Sequence, residues 1–387
     1  MKDAVSVSGA PAGSSVAAPV AEEKSTDEPA TGYRANHAAF RGPWGQGVSY
    51  QTNIPVDWDG PSGRNIKWSV DLPKKGFNSP VIWGSQLFVA GADNESEVVY
   101  CYNRLDGKLL WQQSVSGITQ SAAKPKVTAD TGLSAPSLTT DGQHIYAIFA
   151  TGDLLALDRN GKQIWAKSLG LPDNHYGHSS SLICWKDKVI IQFDTNKGGR
   201  LIAMSTLTGD IIWDTPRKTK ISWSSPILAE IDGKMQVITT ASPTVSGYDF
   251  ETGAQLWAID CLSGEVGPSA AYADGLVYAA NEYATLAAIK PGPSPVIVWQ
   301  ADEYLPECSS PAVHNGLLFI ATSYGMFVCY DAKTGNKLWE KEFGQGFYGS
   351  PMIADGKVYI MDRGGTMHIF KVDRTLTSLG DPVLGEK

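Results

Sequence analysis

The stretch Asp331-Ala-Lys-Thr-Gly-Asn-Lys-Leu-Trp339 recurs with variation along the chain. Asp249-Phe-Glu-Thr-Gly-Ala-Gln-Leu-Trp257 is a close copy. Ser205-Thr-Leu-Thr-Gly-Asp-Ile-Ile-Trp213, Asp158-Arg-Asn-Gly-Lys-Gln-Ile-Trp165 and Asn103-Arg-Leu-Asp-Gly-Lys-Leu-Leu-Trp111 are looser ones. In all five the glycine stands four residues before the tryptophan. Such a unit reads as a hairpin. Glycine takes the positive-φ position of a tight turn, and a neighbouring Asp, Asn or Thr side chain bonds the turn backbone. A short apolar strand follows and ends on a large ring that needs a place to be buried. One hairpin cannot hide its own indole, so the units must stack.

Seven tryptophans occupy this place: Trp68, Trp111, Trp165, Trp213, Trp257, Trp299 and Trp339, separated by 43, 54, 48, 44, 42 and 40 residues. A second landmark, a small residue with proline that opens an apolar strand, recurs in step: Ser79-Pro80, Ala135-Pro136, Ser225-Pro226, Ser310-Pro311 and Ser350-Pro351, with Gly267-Pro268 and Ser180-Ser181 as weaker instances. Four strands per unit at this period predict an all-β fold, a seven-bladed β-propeller of four-stranded blades. The expected blades span 78–115, 134–169, 179–217, 224–261, 268–303, 309–343 and 349–372. The last has no tryptophan strand of its own. Residues 65–72, with Trp68, are expected to complete it beside 366–372, so that an N-terminal strand closes the ring and removes an open edge.

The expected organisation is a disordered tether over 1–32, an irregular segment packed on the ring over 33–63, the propeller over 64–372 and a tail over 373–387. Residues 1–32 are rich in Ala, Ser, Val, Pro, Glu and Gly and cannot bury enough surface to order themselves. They contain no basic segment followed by an apolar one, so no intact signal peptide is read. A removed export or lipidation signal is the expected origin of such a tether. It places the protein in the periplasm or outside the cell, with a lipid anchor to the membrane as one route of attachment and a monomer as the default state.

The formal net charge of −8 and the absence of a basic stripe exclude nucleic acid as a partner. No apolar run reaches the roughly 18 residues of a membrane helix. The five cysteines, Cys101, Cys184, Cys261, Cys308 and Cys329, are isolated, which gives zinc and thioredoxin-type chemistry no support. Cys261 and Cys308 are the one pair that could join in an oxidising compartment, with free thiols the default.

The Asp-x-x-Thr-Gly-x-x-x-Trp unit with Ser-Pro strand openings resembles the quinoprotein repeat, the PQQ-binding-like propeller family that includes BamB-like envelope lipoproteins. The run Phe40-Arg-Gly-Pro-Trp-Gly-Gln-Gly47 is similar to the start of many such exported proteins. The resemblance covers about 64–372 and implies the fold more strongly than a function. It implies PQQ with Ca²⁺ as a conceivable cofactor. The dehydrogenases of the family, however, have eight blades and an adjacent cysteine pair. Here Glu265 and Asn281 match their metal ligands in residue type alone. No cofactor and no metal are therefore expected.

The two largest insertions, Ser116–Leu133 and Asp194–Gly199, fall on one face, which marks it as the binding face. Loops on that face carry the ligand-binding candidates Tyr176, His178, Trp223, Glu265, Asn281, Glu307, Tyr324, Tyr348 and Arg363. Phe77, Asn78, Phe347, Asp194, Arg200, Glu282, Tyr283 and Asp362 are further residues of the same loops. Aromatics with a few convergent charges describe a ligand site suited to a sugar or another flat polar molecule. The leading expectation is a non-catalytic scaffold that presents this funnel to a protein or glycan partner. The alternative is an enzyme: a carbohydrate lyase or hydrolase, with Tyr176 or His178 as base, Arg363 neutralising charge, or Glu265 and Glu307 as a carboxylate pair, or a PQQ-dependent dehydrogenase. For His178, a structural role is the competing reading, because no third ligand stands near His175 and His178 in sequence.

Overall fold

The computed structural model describes residues 29–118 and 125–385, with the side chains of 29–31 left out. Of the tether expected over 1–32, residues 1–28 lie outside the described residues, as does part of the Ser116–Leu133 insertion, while Pro29–Arg34 forms a short helix where disorder was expected. Seven sheets surround an axis, each in sequential strand order. Blade one is Val81–Trp83, Gln86–Ala92, Glu97–Asn103 and Leu109–Ser114, and all pairings within it are antiparallel. The next five repeat this plan, and the seven-bladed architecture predicted from the tryptophan period holds. Links between blades and second-to-third-strand turns form an open face. The remaining turns form a closed face.

The repeated turn explains the repeated glycine. Gly107, Gly161, Gly209, Gly253 and Gly335 have φ between 69° and 85°. A Cβ on any of them would stand 2.6–2.7 Å from the indole of Trp68, Trp111, Trp165, Trp213 or Trp299 respectively. Each indole thus lies on the turn of the following blade. Its Nε1 also donates to a carbonyl of that turn: Arg104, Arg159, Thr206, Phe250 or Ala332, at 2.9–3.2 Å. The Asp that opens the unit acts as expected. Asp331 Oδ1 accepts from the Thr334 amide at 3.0 Å and from its hydroxyl at 2.9 Å.

Two units depart from this. Trp339 donates to Asp373 O at 3.2 Å, in a turn without glycine. Trp257 faces blade five, whose turn is Pro291-Gly-Pro293. It lies instead over Gly247 of its own blade and donates to Gln236 Oε1 at 2.8 Å.

The strand openings carry a second inter-blade device. The amide of Ser79 donates to Ser137 Oγ, and the pattern continues through Ser181, Ser225, Ser269, Ser310 and Ser350, at 2.9–3.0 Å throughout. The landmark is therefore the serine. In blades two and five it is Ser137 and Ser269, two residues beyond Ala135 and Gly267. Apolar clusters fill the junctions from blades one and two through six and seven.

The junction between blades seven and one is built differently, which corrects the expected closure. The fourth strand of blade seven is Ser378–Gly380, paired with Met367–Lys371, so the stretch expected as a tail enters the sheet. Residues 65–72 form no strand, yet Trp68 keeps its role by docking on blade one. Ile54, Val56 and Trp58 cover Tyr359 and Ile369 of blade seven, and the Ala92 amide of blade one donates to Lys75 O at 2.9 Å. An N-terminal strand does join the last blade, but at its inner edge: Val48–Ser49 pairs in parallel with Ile353 and Ala354.

That strand ends an inserted irregular segment. Residues 33–51, expected to lie on the ring, enter the central channel from the closed face and touch the innermost strand of every blade. His37 bridges Ile82, Ala38 O accepts from Thr140, and Tyr33 donates to Cys184 O at 2.6 Å. Gln46 donates to Leu228 O at 2.6 Å, and the Arg41 guanidinium reaches Ala270 O at 3.0 Å and Pro311 O. Val48–Ser49 completes the circuit on blade seven. Burial draws the Arg41 guanidinium down to about 9. The five cysteines are free thiols, three of them buried.

Replacing Gly209 by Ala adds a Cβ against Trp165 in a positive-φ turn. A loss of about 2–4 kcal/mol in urea unfolding is expected. Gly316, at φ 72° with open space around its Cβ, is the control and should lose only about 1 kcal/mol on the same change. Equal losses would show that the indole contact contributes nothing.

Candidate functional site

The open face carries two adjoining groups. The first begins at Asn174, in the link between blades two and three. Its side chain is nearly buried, and its Oδ1 accepts from Trp223 Nε1 and from the Tyr176 amide, both at 3.0 Å. This amide pins two aromatic rings from different links. The His175 ring packs against both, with centroids 4.4 Å from Tyr176 and 5.1 Å from Trp223, while Tyr176 and Trp223 are 5.0 Å apart. His175 Nε2 stands 3.5 Å from Glu265 Oε1. The Trp223 amide donates to Val266 O at 3.0 Å, which ties the Trp223 link to the Glu265 link. The insertion before blade two leans on the same group, with Thr131 Oγ1 donating to Tyr176 O at 3.3 Å.

The second group lies over blades five and six. The Tyr283 ring rests on Gly264, whose lack of a Cβ admits it. Beside it is a depression of about 390 Å³, lined by Glu282, Asp302, Glu303, Tyr304, Leu305 and Tyr324. Glu282, then burial, then Glu307 and Glu265, raise the Tyr283 phenol above its ordinary value. Burial, and then the nearby Glu307, raise that of Tyr348. The Arg363 guanidinium lies over the Tyr348 ring at 4.3 Å. The face is therefore acidic and aromatic, with the Arg363 guanidinium already seated on a tyrosine.

Of the candidates, Tyr176, Trp223, Glu265, Glu307, Tyr324, Tyr348 and Arg363 belong to this face. Two do not. His178 is 3% exposed and stacks on Phe193 at 5.2 Å, and its Nε2 has no partner. Burial lowers its pKa to about 4, so the ring is neutral and structural. Asn281 is fully buried and donates to Glu265 O at 2.6 Å, which sets the backbone of that link. Among the further residues, Phe347 belongs to the core between blades six and seven. Asn78 bonds Ala90 and Ser134. Asp194 is buried against Arg217, with Ser222 Oγ donating to it at 2.6 Å. Arg200 pairs with Asp214. Asp362 holds His368 Nε2 at 3.0 Å, and Asp381 holds its Nδ1 at 2.6 Å. Asn174 and His175 were absent from the candidate set. The spacing of polar residues in a loop does not say which of them is the hinge of the cluster.

Seven four-stranded sheets with docked indoles and an acidic, aromatic open face define a PQQ-like β-propeller. The chain belongs to the family described as outer membrane protein assembly factor BamB, which matches residues 51–189, 197–292 and 293–377. It is 23% identical over 333 residues to an outer membrane protein assembly factor BamB of Yersinia pestis, covering 81% of this chain and 78% of that one. It is 25% identical over 293 residues to a tetrathionate hydrolase of Acidithiobacillus ferrooxidans, covering 68% of this chain and 53% of that one. Among solved structures, BamB from Moraxella catarrhalis superposes with a TM-score of 0.62 at 13% identity, over 84% of this chain and 96% of that chain. A europium-containing methanol dehydrogenase gives 0.51 at 13% identity, over 89% and 91%. At these identities the structural likeness speaks for the fold alone.

The buried histidines predict acid sensitivity. Burial lowers both His37 and His178 to about 4, below the ordinary 6.5. The folded state therefore binds these protons less readily than the unfolded one. The stability is fully present above about 6.5 and is lost as pH falls through 4, by up to about 3 kcal/mol per ring. His178→Gln removes one of the two titrations. Its unfolding midpoint should fall less between pH 7 and pH 4 than that of the native chain, and parallel curves would refute the assignment.

Proposed function

We propose that this protein is a non-catalytic binding module of the bacterial cell envelope that offers its open face to a protein partner in outer-membrane protein assembly. The observation that carries the reading is the family match, which runs through all the blades. The relatives that match over most of both chains, the BamB proteins of Yersinia pestis and Salmonella typhimurium, are assembly factors. The form of the open face supports it. The rim is acidic and aromatic, and tyrosine and tryptophan are frequent anchors of protein interfaces, while the segment 33–51 lies in the channel beneath.

The alternative, a quinone-dependent enzyme, finds no fit in the residues. Among the described residues, no three His, Cys, Asp or Glu side chains converge to hold a metal ion. Asn281 spends its amide on a backbone carbonyl, and the Glu265 carboxylate faces His175. Of the proposed bases, His178 is buried.

A photo-reactive residue in place of Trp223 or Tyr324 should capture a discrete envelope protein in cells. The same group at Leu207, exposed on the closed face, should capture none. Capture confined to Leu207 would overturn the reading. A rise in melting temperature on adding PQQ with Ca²⁺ would favour the enzyme instead.

A further inference from the structure

One end of the junction between blades one and two is polar. Glu97 opens the third strand of blade one, and Asp153 opens the third strand of blade two. Side chains two residues apart share a face of a strand. Glu97 therefore projects with Val99 and Cys101, and Asp153 with Leu155 and Leu157, into the one apolar cluster that fills the junction. Glu97 is 5% exposed and Asp153 is 1% exposed. The Thr151 hydroxyl bridges the two residues, accepting from the Asp153 amide at 3.2 Å and donating to Glu97 Oε1 at 2.6 Å. Glu97 Oε2 and Asp153 Oδ2 are buried without a hydrogen-bond partner.

Two carboxyl groups so placed resist being ionised together. Burial raises Glu97 to about 7, the Thr151 hydroxyl pulls against it, and the Asp153 charge adds to it. No lysine, arginine or histidine among the described residues offsets that rise. Lys74, ahead of blade one, is held by Asp93. In blade two, His144 of the second strand is held by Asp141 and Lys167 of the fourth by Asp210. The fourth strand of blade one, Leu109–Ser114, carries no charge. Lys126 and Asp130, in the link between the two blades, are exposed. That link is pinned at both ends beside the carboxyl pair. The Val115 amide donates to Glu97 O at 3.0 Å, and the Ala150 amide, next to Thr151, donates to Leu133 O at 3.1 Å. Through Thr131 the link reaches Tyr176 of the open face.

We propose that Glu97 and Asp153 form a proton-operated latch that holds this junction shut at its open-face end. With a proton on Glu97 the pair carries one charge and the junction is closed. When the proton leaves to water, two like charges face the apolar cluster, and the junction loosens where the link is pinned. The latch works whichever partner the open face receives. The closed junction holds the Glu97 proton up to about pH 7, whereas an opened one, with Glu97 in water, releases it at the ordinary 4.5. Closure is therefore fully favoured below about 4.5 and is lost as pH rises through 7. Opening increases by up to about ten-fold per pH unit across that window and levels off above it.

Two buried thiols make the test internal to the full chain. Cys101 lies in the latched junction, opposite Trp111, and Cys329 holds the same place in blade six, opposite Trp339. Both are fully buried, and burial raises both to about 12. The chain is treated with a dipyridyl disulfide, which reacts with thiols in acid as well as at neutral pH, and the modified cysteines are mapped by peptide mass spectrometry. The ratio of the Cys101 rate to the Cys329 rate cancels the chemistry of the reagent and any global unfolding. It should rise at least about ten-fold from pH 5 to pH 7. Glu97→Gln keeps an acceptor for Thr151 and cannot ionise, so its ratio should stay flat. Asp153→Asn removes the neighbouring charge and should give a smaller rise than the native chain. Glu303→Gln, an exposed carboxylate of the open face, should leave the rise unchanged. A native ratio independent of pH, or a rise that persists in Glu97→Gln, overturns the proposal. An undiminished rise in Asp153→Asn also overturns it, because Glu97 then acts without its partner.

Discussion

Everything in this molecule depends on an indole seated on the glycine of its neighbour. The contact is reciprocal in sequence and directional in space. The glycine that lets one blade turn is also the floor for the ring of the blade before it. A positive φ and a missing Cβ are two demands that only glycine meets together. Each seated ring removes a large apolar surface from water, worth roughly 2–3 kcal/mol, and its N–H finds a carbonyl in the same turn. Because each blade leans on the next, the contributions join into a closed ring. The serine bonds at the strand openings repeat the logic near the axis, with one amide and one hydroxyl at each of six junctions.

Exceptions to the pattern show what it is for. In blade five the turn has become Pro291-Gly-Pro293, which cannot present the same seat. Trp257 then folds back on Gly247 and the side-chain oxygen of Gln236. At the seventh junction, the two jobs of the outer strand are divided between the ends of the chain. Ser378–Gly380 supplies the hydrogen bonds, and Trp68 supplies the indole. The motif and the strand are thus separable.

That separability explains what could be read from the sequence. The blade count and the hairpin turns were legible because glycine and tryptophan recur at a fixed offset, and a recurring pattern averages out local noise. The closing strand was misplaced because Ser378-Leu-Gly380 has no tryptophan, while Trp68 sits in a convincing outer-strand sequence that lacks a sheet partner. On the open face, Tyr176, Trp223 and Glu265 were found because large rings and charges in inter-blade links have few places to go. His178 and Asn281 were placed there for the same reason and proved to be inside. A residue two positions along an extended segment changes its depth by several ångströms, and loop sequence does not encode that depth. Asn174 matters through its partner Trp223 in another inter-blade link, which no local pattern reveals.

The segment over 33–51 has a further consequence. It enters and leaves by the closed face, where Asn36 meets Gly84 and the Ile54 amide meets Asp355. The helix Pro29–Arg34 therefore lies on the underside, against Trp83 and on the far side from the acidic rim. One segment threaded through the hub thus gives the ring two unlike ends, an underside stitched to it by hydrogen bonds and a rim left to rings and carboxylates.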